Sequence, residues 1–71
     1  MKLRFTNHAQ AAILERGILA SRVADTLRRP DSRAKVSGGK TACMKNFEQG
    51  VLKVIFVISR GEYVIMTAYY L

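Results

Sequence analysis

His8 is the only histidine of this chain and Cys43 its only cysteine, so acid–base and nucleophilic chemistry have few places to sit. No His, Cys, Asp or Glu residues recur at zinc-ligand spacing, and no nucleophile has an evident base beside it in sequence. Neither a metal nor a cofactor is expected. Gly39-Lys40-Thr41 looks like the tail of a P-loop, but that motif needs glycine where Ala34 stands and a helix where the following residues read as strand. Gly38-Gly39 is better read as hairpin turn chemistry. What remains is His8 and a surplus of cations. A neutral imidazole can accept a proton; the plainer alternative is a ring that ties a helix to its neighbour through a carbonyl.

Twelve Lys and Arg stand against five Asp and Glu, a formal charge of +7. Such a balance favours a polyanion as partner: nucleic acid, an anionic membrane surface or an acidic protein. Arg28 and Arg29 fit two roles, since cations in the last turn of a helix complement its dipole and can also meet phosphates. The longest aliphatic and aromatic run, Val54–Ile58, is too short to span a bilayer, and the first ten residues hold no signal-like apolar stretch. The expectation is a soluble, cytoplasmic, single-domain protein with no membrane partner. Cys43 then serves as a small apolar residue in a reducing compartment.

These groups must be positioned by the stretch from Val51 to Leu71, the one part of the chain apolar enough to nucleate a core. Val51–Ser59 and Tyr63–Leu71 are rich in β-branched and aromatic residues around Ser59-Arg60-Gly61-Glu62, which predicts a β-hairpin. Alternation puts Leu52, Val54, Phe56 and Ile58 on a core face and Val51, Lys53, Ile55 and Val57 on the other. A three-residue loop sets Lys53 near Tyr69 and Thr67, whereas two or four residues reverse the parity.

Ahead of the hairpin, Leu3-Arg4-Phe5 reads as a short extended lead-in. Asn7, with Gln10 three residues on, predicts the start of a helix that runs to Arg16 and stops at Gly17. Ala9, Ala12 and Ile13 form its apolar stripe. A second helix spans Ala20 to Arg29, with Val23 and Leu27 spaced four apart and Pro30 ending it. Arg33–Val36 and Thr41–Glu48 are candidate strands. The fold expected is α+β, two N-terminal helices packed on an antiparallel sheet of three or four strands.

In order along the chain, Phe5-Thr6, His8-Ala9, Glu15-Arg16-Gly17-Ile18, Val23, Leu27, Pro30-Asp31, Lys45, Lys53 and Thr67-Ala68-Tyr69 resemble the pattern of a small bacterial family of unknown function. That family is similar to the RelE, colicin and barnase-like ribonuclease fold of toxin–antitoxin systems, whose toxins cut RNA without a metal. The resemblance covers almost the whole chain. Leu19 and Cys43 depart from it, standing where a capping Ser or Thr and an aromatic residue are usual. The resemblance implies a polar set of His8, Lys45, Lys53 and the Thr67 hydroxyl, with His8 as base, Lys45 steadying the phosphorane and Lys53 serving the leaving oxygen. Arg4, Arg16, Arg28, Arg29 and Lys40 are the cations expected on RNA phosphates.

The expected function is a metal-independent endoribonuclease toxin, held by an antitoxin laid over the open sheet face. Without that partner, the apolar excess on both hairpin faces predicts a homodimer. The rival expectation is a non-catalytic nucleic-acid-binding or protein-interaction module in which His8 is structural. The two differ in whether His8, Lys45 and Lys53 converge in one concavity.

Overall fold

Thr6 opens the first helix of the computed structural model, which describes residues Met1–Leu71. Its hydroxyl accepts a hydrogen bond from the Ala9 N–H at 3.0 Å, the capping role expected of Asn7. This helix, α1 (Asn7–Glu15), buries Ala9 and Ala12, small side chains that let it lie close to the sheet. Gly17, with φ +66°, ends it in a Schellman turn: the Ile18 N–H reaches the Ile13 carbonyl and the Gly17 N–H the Leu14 carbonyl. Helix α2 (Ala20–Arg28) follows without a side-chain cap, because Leu19 has no oxygen to offer. It buries Val23, Thr26 and Leu27, and the Thr26 hydroxyl is satisfied by the Arg22 carbonyl at 2.8 Å.

Three segments frame the helices: β1 (Leu3–Phe5) before them, then β2 (Ser32–Val36) and β3 (Lys40–Phe47) after them. The hairpin β4 (Gly50–Ser59) and β5 (Glu62–Tyr70) completes a five-stranded sheet of order β1-β5-β4-β3-β2. This corrects the expected fold on three counts, the first being five strands where three or four were expected. The sheet is mixed rather than antiparallel, because β1 lies parallel to β5 with Leu3 opposite Tyr63 and Phe5 opposite Ile65. The helices are also not the first elements, since the lead-in is itself a strand. Its cause is local: β5 offers a free edge, where the Thr6 N–H bonds the Ile65 carbonyl and the Tyr63 N–H bonds the Lys2 carbonyl.

Both helices cover one face. Leu52, Val54 and Phe56 from β4 and Cys43 from β3 lie there fully buried with Val23 and Leu27, as the alternation predicts for β4. Ile58 does not join them and remains 63% exposed. The reason lies in where α2 sits, over the β3–β4 turn, where Arg22 stacks on Phe47 at 4.6 Å and bonds Gln49. The far end of β4 is left bare.

The hairpin register carries a second surprise. Ser59 pairs with Glu62 across a two-residue turn, with Arg60 at φ 52° and Gly61 at φ 76°, the left-handed pair of a type I′ turn. Such a turn alone would set Lys53 opposite Ala68. A β-bulge intervenes: Ile55 pairs with Thr67 and Phe56 with Ile65, leaving Met66 as an extra residue in β5. Lys53 therefore faces Tyr69 after all, and Ile65 and Ala68 can both be buried although they differ in parity.

Candidate nucleic-acid interface

The sheet separates the residues expected to act together. Lys45 pairs with Leu52 and so lies on the helix face, where its Nζ donates to the Arg29 carbonyl at 2.8 Å and caps the end of α2. Lys53, paired with Met44 on one side and Tyr69 on the other, lies on the uncovered face. His8 is exposed in the first turn of α1 and makes neither a side-chain hydrogen bond nor an ion pair. Helix α1 packs over β5 and β1, whereas α2 packs over β4 and β3. His8, Lys45 and Lys53 thus occupy three separate environments.

Other members of the expected set do come together. Thr67 pairs with Ile55 one step along β5 from the Lys53–Tyr69 pair, on the same open face. Its hydroxyl accepts from Arg16 Nη1 at 3.5 Å, and the same nitrogen donates to the Ala68 carbonyl at 2.9 Å. Arg16 leaves the end of α1 and reaches the margin of β5 that β1 is too short to cover. Lys53 Nζ stands 5.9 Å from the centre of the Tyr69 ring. Lys53, Tyr69, Thr67 and Arg16 consequently form a strip from the middle of the sheet to its edge, with Lys40 on the same face at the start of β3. Apolar Met44, Ile55 and Val57 flank the strip.

The remaining expected cations lie elsewhere. Arg4 Nε bonds Glu62 at 3.2 Å, and Lys2 approaches the same carboxylate at 3.5 Å. Arg28 pairs with Asp25 at 3.7 Å. Asp25, Arg28, Arg29 and Lys45 line a polar notch of about 400 Å³ at the C-terminal end of α2. Cations there complement the negative end of the helix, and Lys45 is committed to its last carbonyl, so the notch is explained by capping. No three His, Cys, Asp or Glu side chains gather anywhere in the fold, which leaves no natural metal cage.

Tyr69 is the group that residue-by-residue reading undervalued. It belongs to the Thr67-Ala68-Tyr69 pattern, but its place beside Lys53 requires Met66 to be left out of the ladder, and nothing in the sequence signals that. No helix of the fold is long and apolar enough to cross a membrane. Compared with known proteins, the chain matches no family model, no curated protein and no solved structure.

Proposed function

We propose that this chain binds single-stranded nucleic acid, RNA in the first instance, across the open face of its sheet and does not cut it. One observation carries the reading: Tyr69 and Lys53 sit side by side on an uncovered sheet face, with Arg16 and Thr67 next in line and no carboxylate among them. An unpaired base can stack on a tyrosine ring, and a nucleotide stacked on Tyr69 brings its phosphate beside the Lys53 ammonium. Arg16 and Lys40 extend the cationic track in two directions. A duplex offers no such exposed base faces, which is why a single strand is the better fit to a flat sheet.

Catalysis is the less well supported reading. A base, a cation for the phosphorane and an acid must surround one phosphate. His8 stands in the first turn of α1 and Lys45 is bonded to the Arg29 carbonyl on the covered face, an arrangement that favours binding over cleavage at Lys53. The buried free thiol of Cys43 suits a reducing compartment, and we place the protein in the cytoplasm.

The test is RNA binding and RNA cleavage measured together in chelator, with and without ribosomes. Tyr69→Ala should weaken binding by about 1–3 kcal/mol, the worth of one stacked base. Lys53→Ala should lower affinity and flatten its salt dependence by about 0.7 in the logarithmic slope, as expected for one phosphate contact. Lys45→Ala, on the opposite face, should leave affinity unchanged. Metal-independent cleavage by the wild type that His8→Ala abolishes would overturn this reading in favour of the ribonuclease.

A further inference from the structure

Strand β2 is the outer edge of the sheet, and four of its five residues, Ser32 to Lys35, are exposed. The pairing pattern fixes which of its backbone groups are free. The Leu71 N–H bonds the Val51 carbonyl, so Val51 and Lys53 direct their backbone groups toward β5. In an antiparallel ladder bonded and non-bonded pairs alternate. Leu52, Val54 and Phe56 therefore bond toward β3, and Lys40, Ala42 and Met44 of β3 bond toward β2 at Val36, Ala34 and Ser32. Arg33 and Lys35 are left with N–H and C=O groups that point away from the sheet.

The same two residues carry the free charges of this edge. Their side chains lie on the helix face, at the rim of an open concavity of about 330 Å³ with Thr41, Phe56 and Ile58 inside it. Neither cation has a hydrogen bond or an ion pair: α2 ends short of them, no carboxylate lines the concavity, and the nearby Asp31 carboxylate accepts from the Asn46 N–H instead. Each of the two positions thus offers a backbone donor, a backbone acceptor and an unpaired cation.

Three kinds of occupant can be compared on these features. A polyanion would use the cations and the N–H groups but leave the carbonyls facing its own negative charge. A second copy of this chain, pairing antiparallel about Ala34, would set Arg33 directly opposite Lys35, and like charges at opposed positions are unfavourable. An acidic polypeptide strand meets all the groups at once. We propose that the β2 edge takes up an extended acidic segment of another protein as a sixth strand, with carboxylates opposite Arg33 and Lys35 and small or apolar residues between them. This docking edge is separate from the open face assigned to nucleic acid, and neither proposal rests on the other.

The experiment follows backbone amides of the full chain by nuclear magnetic resonance and hydrogen exchange while a synthetic peptide of alternating glutamate and valine is added. Parallel titrations use the same peptide with lysine for glutamate, the glutamate peptide N-methylated at its glutamate amides, and oligouridylate. The Arg33 and Lys35 amides should gain protection with the unmodified glutamate peptide alone. Arg33→Glu combined with Lys35→Glu should weaken that peptide about tenfold or more and confer binding of the lysine peptide. Equal binding of the N-methylated peptide would overturn strand addition, since that peptide keeps the charge and lacks the donors. Protection by oligouridylate, or peptide shifts confined to Lys53 and Tyr69, would overturn the assignment of this edge.

Discussion

Phe56 shows how much of this small fold hangs on single side chains. It is 2% exposed, lies among Val54, Ile65 and Cys43, and its ring meets Tyr63 at 5.3 Å between centroids. Phe56→Ala should cost about 3–5 kcal/mol through lost transfer energy and the cavity left behind. Since small domains have only about 5–15 kcal/mol in total, urea unfolding of this variant should show a midpoint shifted far down, with a slope that stays the same if the fold survives. On β3 and β4, Lys45 and Lys53 illustrate the opposite problem: both are strand lysines, and their chemistry is decided by which face each lies on. Within one strand alternation settles that question, so Leu52, Val54 and Phe56 could be read as core. Between strands it depends on register, and no local residue states the register of β3 against β4. The union of Lys53 with Lys45 in one site, which the resemblance implies, is therefore not formed in space.

The helices were legible because their signals are local. The Ala9, Ala12 and Ile13 stripe, Gly17 as terminator and the Val23–Leu27 pair each act within a turn or two, and each is found in place. Strand β1 was not legible as a parallel partner, since three residues carry no usable period and their partner lies at the other end of the chain. The β4–β5 hairpin was legible as a hairpin but not in register, because Met66 changes the parity that the turn sets. Removing Met66 should leave one residue of β5 opposite each residue of β4, with Lys53 still facing Tyr69 and Ile55 still facing Thr67. This deletion is expected to fold, to keep cross-strand nuclear Overhauser contacts between those pairs, and to lose only the extra local twist of the bulge. Loss of the Lys53–Tyr69 contact in the folded variant would show that the bulge does more than restore parity.

For the whole molecule, the balance between apolar area and charge governs association. The uncovered face presents Met44, Ile55, Val57 and Tyr69, enough apolar surface to favour self-association, yet Lys53, Arg16 and Lys40 of two stacked copies would approach one another without intervening carboxylates. Screening shortens that repulsion from a range of about 10 Å at 0.1 M salt to about 3 Å at 1 M. Sedimentation should accordingly find a monomer at low ionic strength and a dimer at high ionic strength, the reverse of an association held by ion pairs. The parallel contact of β1 with β5 has a consequence in time as well as in space. On a ribosome, Leu3 to Phe5 emerge first and the strand they dock against emerges last of the five. Until β5 is synthesised, β1 has no neighbour, α1 has no sheet beneath it, and β4 lacks one of its two flanking strands. Closing contacts of such long sequence separation costs loop entropy before any reward. The first four strands thus stay open, basic and without a finished core until β5 is free to pair.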